Sequence, residues 1–171
     1  MDAPRVLELL DLLAAAGATV WVDGGWGIDA LLGRQTRPHD DLDLIAVLEH
    51  VPRLEQALGE AGYARANGEP PTSFELVDPL GHQVDVHPVR VFDDGSAVYT
   101  LADGRPWPYA PGRLAGEGAI LGRPVPCPTP ETALRNHTTG YVLDAAHLAD
   151  ATALAEHYGL ALPEGLATLE A

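Results

Sequence analysis

The segment from Asp41 to Val47 constrains the fold most strongly, because acidic and apolar side chains alternate at its start. A β-strand turns successive side chains to opposite faces, so Asp41 and Asp43 should share one face while Leu42 and Leu44 enter the core. Patterns typical of helices precede and follow this strand. Strands that alternate with helices in a chain of 171 residues predict a single α/β domain.

The other elements are predicted from the spacing of apolar residues and from turn residues. Two β-rich runs, 73–77 and 83–89, flank a four-residue turn and predict an antiparallel hairpin, which makes the sheet mixed and flanked by helices. The proline-rich stretch 104–112 is predicted to be an ordered loop. Helices from about residue 129 onward are predicted to pack on the one domain, residues 1–171. The remaining predictions are a strand over 18–22, a hairpin over 120–125, and helices between 4 and 17, over 26–32, over 52–61 and over 144–158.

The charge of the chain argues against polyanionic partners. Ten basic residues, all of them arginine, stand against 25 acidic residues, which gives a net charge of −15 at pH 7. This field repels nucleic acid and is compatible with a cationic small molecule. The chain has no apolar run long enough to span a membrane, no signal-peptide pattern, and only one cysteine, Cys127. We therefore predict a soluble, cytoplasmic protein without a nucleic-acid or membrane partner.

A third carboxylate is predicted to join the pair Asp41 and Asp43. Asp85 lies in a strand whose valines point inward, so its side chain should face the same way as the first two acids. Clustered carboxylates repel one another unless a cation neutralises them, and hard oxygen ligands suit Mg²⁺ with phosphate completing its shell. The alternative is that these acids are solvated or paired with Arg34 and Arg37.

The turn at Gly24 and Gly25 precedes a short helix, where backbone amides can approach a phosphate without an intervening Cβ. Such a turn is often only a matter of local geometry. Here it comes one helix and one loop before the acidic pair. This arrangement, with the runs Val-Asp-Gly-Gly-Trp-Gly-Ile-Asp-Ala at 22–30 and Thr-Arg-Pro-His-Asp-Asp-Leu-Asp at 36–43, resembles the polymerase β type nucleotidyltransferase superfamily, and within it the lincosamide and aminoglycoside 2''-nucleotidyltransferases.

Later segments carry the resemblance as far as about residue 154. The runs Val-Asp-Val-His-Pro at 84–88, Asp-Asp-Gly-Ser at 93–96 and Gly-Tyr at 140–141 look like the short lincosamide enzymes, to which the chain is most similar. The hairpin Gly-Arg-Pro-Val at 122–125 is closer to the aminoglycoside branch. The chain departs from the family pattern in two ways. Many members of the superfamily place a lysine in the final helix, whereas this chain contains no lysine. The chain is also too short for the C-terminal helical domain of the larger relatives.

The resemblance implies transfer of a nucleoside monophosphate from a nucleoside triphosphate, with ATP as the expected donor, to a hydroxyl of a small-molecule antibiotic, with release of pyrophosphate. It implies that the three acids hold two Mg²⁺ ions and that Asp85 is also the catalytic base. Gly24 and Gly25 would cradle the phosphates, and Arg37 and His39 would pair with triphosphate oxygens.

Four residues are candidates for the acceptor pocket: Trp26, His87, Trp107 and Tyr109. Trp26 is also a candidate core residue, and His87 is also a candidate structural hydrogen-bonding group. Because the chain is short, the acceptor site is expected to come from the loop around Trp107 and Tyr109 or from a second subunit of a homodimer.

Alternatives of three kinds remain open beside the lincosamide acceptor. The acceptor is an aminoglycoside, or it is a metabolite or a protein as in toxin–antitoxin modules, or the fold binds nucleotide without turnover. A module without turnover has no need of three acids, and all three are present, so an enzyme is favoured.

Overall fold

A computed structural model describes residues 1–139 and 143–163. Most predicted elements are confirmed, often to within two residues at each end. The helices are α1 (Ala3–Ala15), α2 (Gly24–Leu32), α3 (Val51–Glu60), α4 (Pro130–Thr138) and α5 (Ala145–Tyr158), and a 3₁₀ turn, Leu48–His50, precedes α3. The strands are β1 (Val20–Val22), β2 (Asp41–Val47), β3 (Ala64–Gly68), β4 (Phe74–Val77), β5 (Gln83–Val91), β6 (Ala97–Thr100), β7 (Pro106–Tyr109), β8 (Gly116–Ile120) and β9 (Arg123–Cys127).

The main sheet has the order β1-β2-β5-β4-β3, and the far half of β5 also pairs with β6, which pairs with β7. Strands β2 and β5 are parallel, and every other neighbouring pair in this sheet is antiparallel. The predicted mixed sheet is therefore confirmed. Strands β8 and β9 form the predicted separate hairpin.

One face of the sheet supports the main hydrophobic core. Leu42 and Leu44 on β2 and Val84 and Val86 on β5 are fully buried there, together with residues from all five helices. Each buried side chain of this kind contributes about 1.5–3 kcal/mol to folding. Because strand residues alternate, this packing turns the side chains between them, the acids included, to the opposite face.

The opposite face carries a second, smaller apolar cluster beyond the acids. Ile45, Val89, Ala97 and Tyr109 form its buried part. Trp21, Tyr99, Trp107 and Leu114 are its partly buried members. The acids thus lie between this cluster and the β3–β4 edge of the sheet.

Three strands were missed by the sequence-based prediction, and one prediction is wrong. The predicted loop 104–112 contains the strand Pro106–Tyr109, which lies at the sheet edge, where proline costs few ladder hydrogen bonds. Strand β3 is exposed along its whole length, so it shows no alternation of polar and apolar residues to detect. Strand β6 is only four residues long.

No helix within residues 1–139 and 143–163 is long and apolar enough to cross a membrane.

Candidate active site

The three predicted acids lie on the same face of the sheet, on its two parallel strands. Asp43 on β2 is the register partner of Asp85 on β5, and Asp41 is the partner of Gln83. The Gln83 side-chain amide donates a hydrogen bond of 2.8 Å to Asp85 Oδ1, which fixes the carboxylate orientation. The alternation predicted from sequence thus brings Asp41, Asp43 and Asp85 together.

Crowding of these carboxylates is visible in their pKa values. Burial raises the pKa of Asp85 to about 6, and the negative charges of Asp43 and Asp41 add to the shift. Burial, with the charge of Asp43, also raises the pKa of Asp41. A cation bound between these groups would relieve the repulsion.

His87 lies beside Asp43 on the acidic face. Its Nε2 lies 3.7 Å from Asp43 Oδ1, and its ring meets the Tyr99 ring edge-on at 5.6 Å between centroids. Burial lowers the pKa of His87, but contact with Asp43 and the charges of Asp23 and Asp85 outweigh burial, and the net pKa is raised. A positive His87 would therefore hold Asp43 in its present orientation.

The donor set suits magnesium. The acids offer only oxygen ligands, and Mg²⁺ is typically held by one or two carboxylates together with water and substrate phosphates. Within the described ranges, no three His, Cys, Asp or Glu side chains already form a closed metal cage. The acids would thus hold Mg²⁺ jointly with a nucleotide.

The glycine turn lies directly against this acidic face. Gly24 has a φ of +58°, and a Cβ built on it would lie 1.9 Å from Asp43 Oδ2. A Cβ on Gly25 would lie 2.4 Å from His39 Nδ1 and 3.1 Å from an Arg37 guanidinium nitrogen. The structure therefore brings together the turn, Asp43, Arg37 and His39, which are separate in the sequence.

Gly24→Ala is expected to reduce transfer by at least about tenfold, because the new methyl group must displace the Asp43 carboxylate. Gly33→Ala is the matched control: Gly33 has a φ of +68°, but no atom lies within 4 Å of its added Cβ. Both variants carry a backbone strain of about 1–2 kcal/mol, and Gly24→Ala should lose further thermal stability because its Cβ also lies 2.9 Å from Asp43 Cβ. Equal activity of the two variants would contradict the close contact between Gly24 and Asp43.

His39 is buried and held from below by an aspartate that the sequence analysis gave no role. The His39 Nε2 lies 2.5 Å from Asp29 Oδ2, and Thr36 donates its backbone N–H and its hydroxyl to Asp29 Oδ1. Asp29 thus fixes the loop that carries Arg37 and His39. The sequence feature that could have identified Asp29 is its position in the motif at 22–30.

Trp26 belongs to the core, which corrects its prediction as an acceptor-pocket residue. Its side chain is 2% exposed, and its ring packs at 4.9 Å from the His39 ring. A buried ring of this size cannot stack on a ligand base. Trp26 instead supports His39.

Arg37 pairs with Asp150 of α5 rather than with the acids of β2. Its Nε and Nη2 both donate to the Asp150 carboxylate, at distances down to 2.8 Å, and Nη1 donates to the carbonyl of Pro38. Burial raises the pKa of Asp150, but the His137 ring, 3.4 Å from Asp150 Oδ2, and the hydrogen bonds from Arg37 outweigh burial and lower it. This pair ties α5 to the loop beside Gly25.

Asp23 stands at the N-cap position of α2, but its side chain makes no capping hydrogen bond. Its carboxylate is buried and accepts a 2.9 Å hydrogen bond from the Asn136 amide of α4. Burial raises the pKa of Asp23. Asn136 also accepts a hydrogen bond from the Trp107 indole. Asn136 was missed because no local pattern links α4 with the start of α2.

Tyr109 is the other corrected pocket residue. It is 4% exposed and forms part of the second apolar cluster, so it does not line an open pocket. Trp107 is partly exposed, but the Arg135 guanidinium lies 4.5 Å from its ring centroid and covers it. The Gly140–Tyr141 pair of the sequence motif lies outside the described residues.

At pH 7.5, Asp85→Asn is expected to make the metal-free protein ~1 kcal/mol more stable than wild type. This gain is smaller than the full pKa shift implies, because the site is partly solvated. It corresponds to a melting temperature about 2–4 °C higher. The folded-state pKa of Asp85, about 6, exceeds the unfolded value of 3.8. The folded chain therefore binds more protons between these values, and its stability falls as pH rises from about 4 to about 6.

Differential scanning calorimetry in EDTA measures this effect, with Asp93→Asn in an exposed turn as control. The difference between Asp85→Asn and wild type should disappear near pH 3.5. A variant that is no more stable than wild type at pH 7.5 would contradict the repulsion inferred at this site.

A profile of the aminoglycoside-2''-adenylyltransferase family matches residues 5–154. The chain belongs to this family. A lincosamide resistance protein of Staphylococcus haemolyticus is 33% identical over 139 residues, which are 81% of this chain and 85% of that protein. A 2''-aminoglycoside nucleotidyltransferase of Klebsiella pneumoniae is 37% identical over 132 residues, which are 74% of this chain and 69% of that protein.

Solved structures of the family have the same fold. The lincomycin-bound lincosamide antibiotic adenylyltransferase LnuA matches with a TM-score of 0.80 and 29% identity, over 90% of this chain and 96% of that one. The antibiotic-resistance factor ANT(2'')-Ia matches with a TM-score of 0.73 and 26% identity, over 92% of this chain and 84% of that one. The predicted family, the nucleotidyltransferase fold and the enzyme class are confirmed.

Proposed function

We propose that this protein transfers a nucleoside monophosphate from a nucleoside triphosphate, with ATP the expected donor, to a hydroxyl of a lincosamide, and releases pyrophosphate. The register of Asp43 with Asp85, on the face that also carries Asp41 and lies against the Gly24 turn, is the observation that carries this proposal. The reaction needs that arrangement, because the donor's phosphates would bind near the turn while the acceptor hydroxyl lies near a carboxylate.

Asp85 would act as the base. Its carboxylate accepts the proton of the acceptor hydroxyl as the hydroxyl oxygen forms a bond to the α-phosphorus. The bond from the α-phosphorus to the bridging oxygen breaks, and its electron pair leaves with pyrophosphate. A carboxylate beside a metal-bound alcohol needs little intrinsic basicity to take this proton, and the hydrogen bond from Gln83 would orient it.

Asp41, Asp43 and Asp85 would hold two Mg²⁺ ions. When bound, these ions neutralise the triphosphate and stabilise the charge that develops on the attacking and leaving oxygens. The repulsion among the unneutralised carboxylates supports this assignment.

The backbone amides at Gly24 and Gly25 would bind the phosphates at the start of α2, where the helix dipole favours negative charge. Arg37 and His39 stand next to this turn and would contribute there. Because Asp150 and Asp29 already hold them, their part is to shape the turn and to offer the remaining positive charge to triphosphate oxygens.

A lincosamide is favoured as acceptor by the similarity to LnuA over nearly the whole of both chains. An aminoglycoside is the second candidate, supported by 37% identity to a 2''-aminoglycoside nucleotidyltransferase. Both acceptor classes carry amines, which suits a chain with a net charge of −15. We expect the protein to act in the cytoplasm.

Pyrophosphate release tests the proposal. The protein is incubated with Mg²⁺, each of the four nucleoside triphosphates, and lincomycin, clindamycin, kanamycin or tobramycin, and the products are examined by mass spectrometry. Acceptor-dependent release with a nucleotidylated lincosamide is the expected result. Release with aminoglycosides alone would select the second candidate, and silence with every acceptor would overturn the antibiotic assignment.

A further inference from the structure

A cavity of about 270 Å³ opens beside Asp85, on the side of β5 that is next to β4 rather than β2. Its walls include Asp85 and His87 of the proposed active site and, from the neighbouring strands, Glu75, Asn67 and the segment at Ser73. The cavity is therefore next to the proposed base.

Strand register places Glu75 in the wall of this cavity, next to Asp85. Asp43, Asp85, Glu75 and Asn67 are successive register partners across β2, β5, β4 and β3, and so form one row. The neighbours of Glu75 on its own strand, Phe74 and Leu76, are buried in the main core, which turns Glu75 to the face that carries Asp85.

Glu75 makes no ion pair with a cationic residue that the structure describes on this face, since His87, which shares the cavity wall, lies against Asp43 instead. Throughout residues 1–139 and 143–163, its carboxylate makes no hydrogen bond or ion pair. Arg65, the arginine of β3, is on the other side of the sheet: it pairs with Glu55 and its guanidinium lies 4.5 Å from the Phe74 ring centroid. The β-bulge between Arg65 and Asn67 places Asn67, rather than Ala66, opposite Glu75, while Arg65 stays opposite the buried Leu76.

We propose that Glu75 binds a protonated amine of the acceptor and so selects acceptors that carry an ammonium group near the reacting hydroxyl. Asn67 Oδ1, which already accepts a hydrogen bond from the Gly68 N–H, would accept a second one from this ammonium group. This inference rests on the proposed function. Directly opposed residues of antiparallel strands have Cβ atoms about 5 Å apart. A molecule with its hydroxyl at Asp85 can therefore reach Glu75 with an ammonium group that is close to that hydroxyl.

Isothermal titration calorimetry of wild type, Glu75→Gln and Glu69→Gln tests this inference. The probes are lincomycin, tobramycin and N-acetylated tobramycin, each titrated with Mg²⁺ and a non-hydrolysable ATP analogue present. Glu69 lies in the exposed β3–β4 turn and gives the same change of charge away from the cavity. Glu75→Gln is expected to weaken binding of at least one amine probe by about tenfold or more, and to leave N-acetylated tobramycin unchanged. Glu69→Gln should match wild type.

Three results would overturn the inference: unchanged binding of both amine probes by Glu75→Gln, a wild type that binds neither probe, or an equal loss of affinity for the ATP analogue, which would make Glu75 part of the metal–nucleotide site. The proposed function is judged separately by pyrophosphate release from wild type. Amine binding through Glu75 without release would reject the proposed function alone, and release without dependence on Glu75 would reject this inference alone.

Discussion

Replacing Asp43 with alanine is expected to lower nucleotidyl transfer by about 10³-fold or more while the protein stays folded. Asp43 contacts both the glycine turn and His87, and it is the register partner of the proposed base. Its removal takes away a proposed metal ligand and releases His87. Asp41→Ala should have a similar effect. Steady-state kinetics and a thermal melt measure the two properties.

The fold should survive because both carboxylates face away from the main core and their removal relieves repulsion. Asp40→Ala is the matched control, since Asp40 is adjacent in sequence, exposed, and on the other side of the chain by alternation. Activity of either site variant close to that of Asp40→Ala would show that the assignment of metal ligands is wrong.

Asp85→Asn is expected to reduce transfer by at least about 10²-fold while nucleotide binding is largely retained. Asparagine keeps the shape and can still accept the Gln83 hydrogen bond, but it cannot take a proton from the acceptor. Single-turnover transfer and ATP affinity, measured with Mg²⁺, separate the two effects.

Asp93→Asn in the exposed β5–β6 turn should behave as wild type in both measurements. An equal loss of ATP affinity and transfer in Asp85→Asn would instead make Asp85 mainly a metal ligand. Transfer at the wild-type rate would remove it from the reaction.

The sequence was sufficient for the features that depend on short-range patterns. Alternation placed Asp41, Asp43 and Asp85 on one face because Leu42 and Val84 have only one way to enter the core. The glycine turn was identifiable from its place between a strand and a helix. The helix bounds agreed because caps and stop residues mark them, as Asp144 does for α5.

Contacts between distant segments could not be predicted in this way. The pairing of Arg37 with Asp150 spans 113 residues, and so does that of Asn136 with Asp23. Glu75 joins the row of Asp43 and Asp85 only through strand pairing, and its own strand gives no sign of this. Trp26 and Tyr109 were offered as pocket residues because an aromatic side chain suits a pocket or a core equally well until the packing is known.

The most direct test of the central claim, that the acidic face of β2 and β5 carries out metal-dependent transfer, is mass spectrometry of lincomycin incubated with ATP and either wild type or Asp43→Ala. Each protein is assayed with Mg²⁺, with EDTA, and with Mg²⁺ restored after EDTA. Nucleotidylated lincomycin should form only with wild type, only with Mg²⁺, and again when Mg²⁺ is restored. Product from Asp43→Ala at the wild-type rate, or from wild type in EDTA, would contradict the claim.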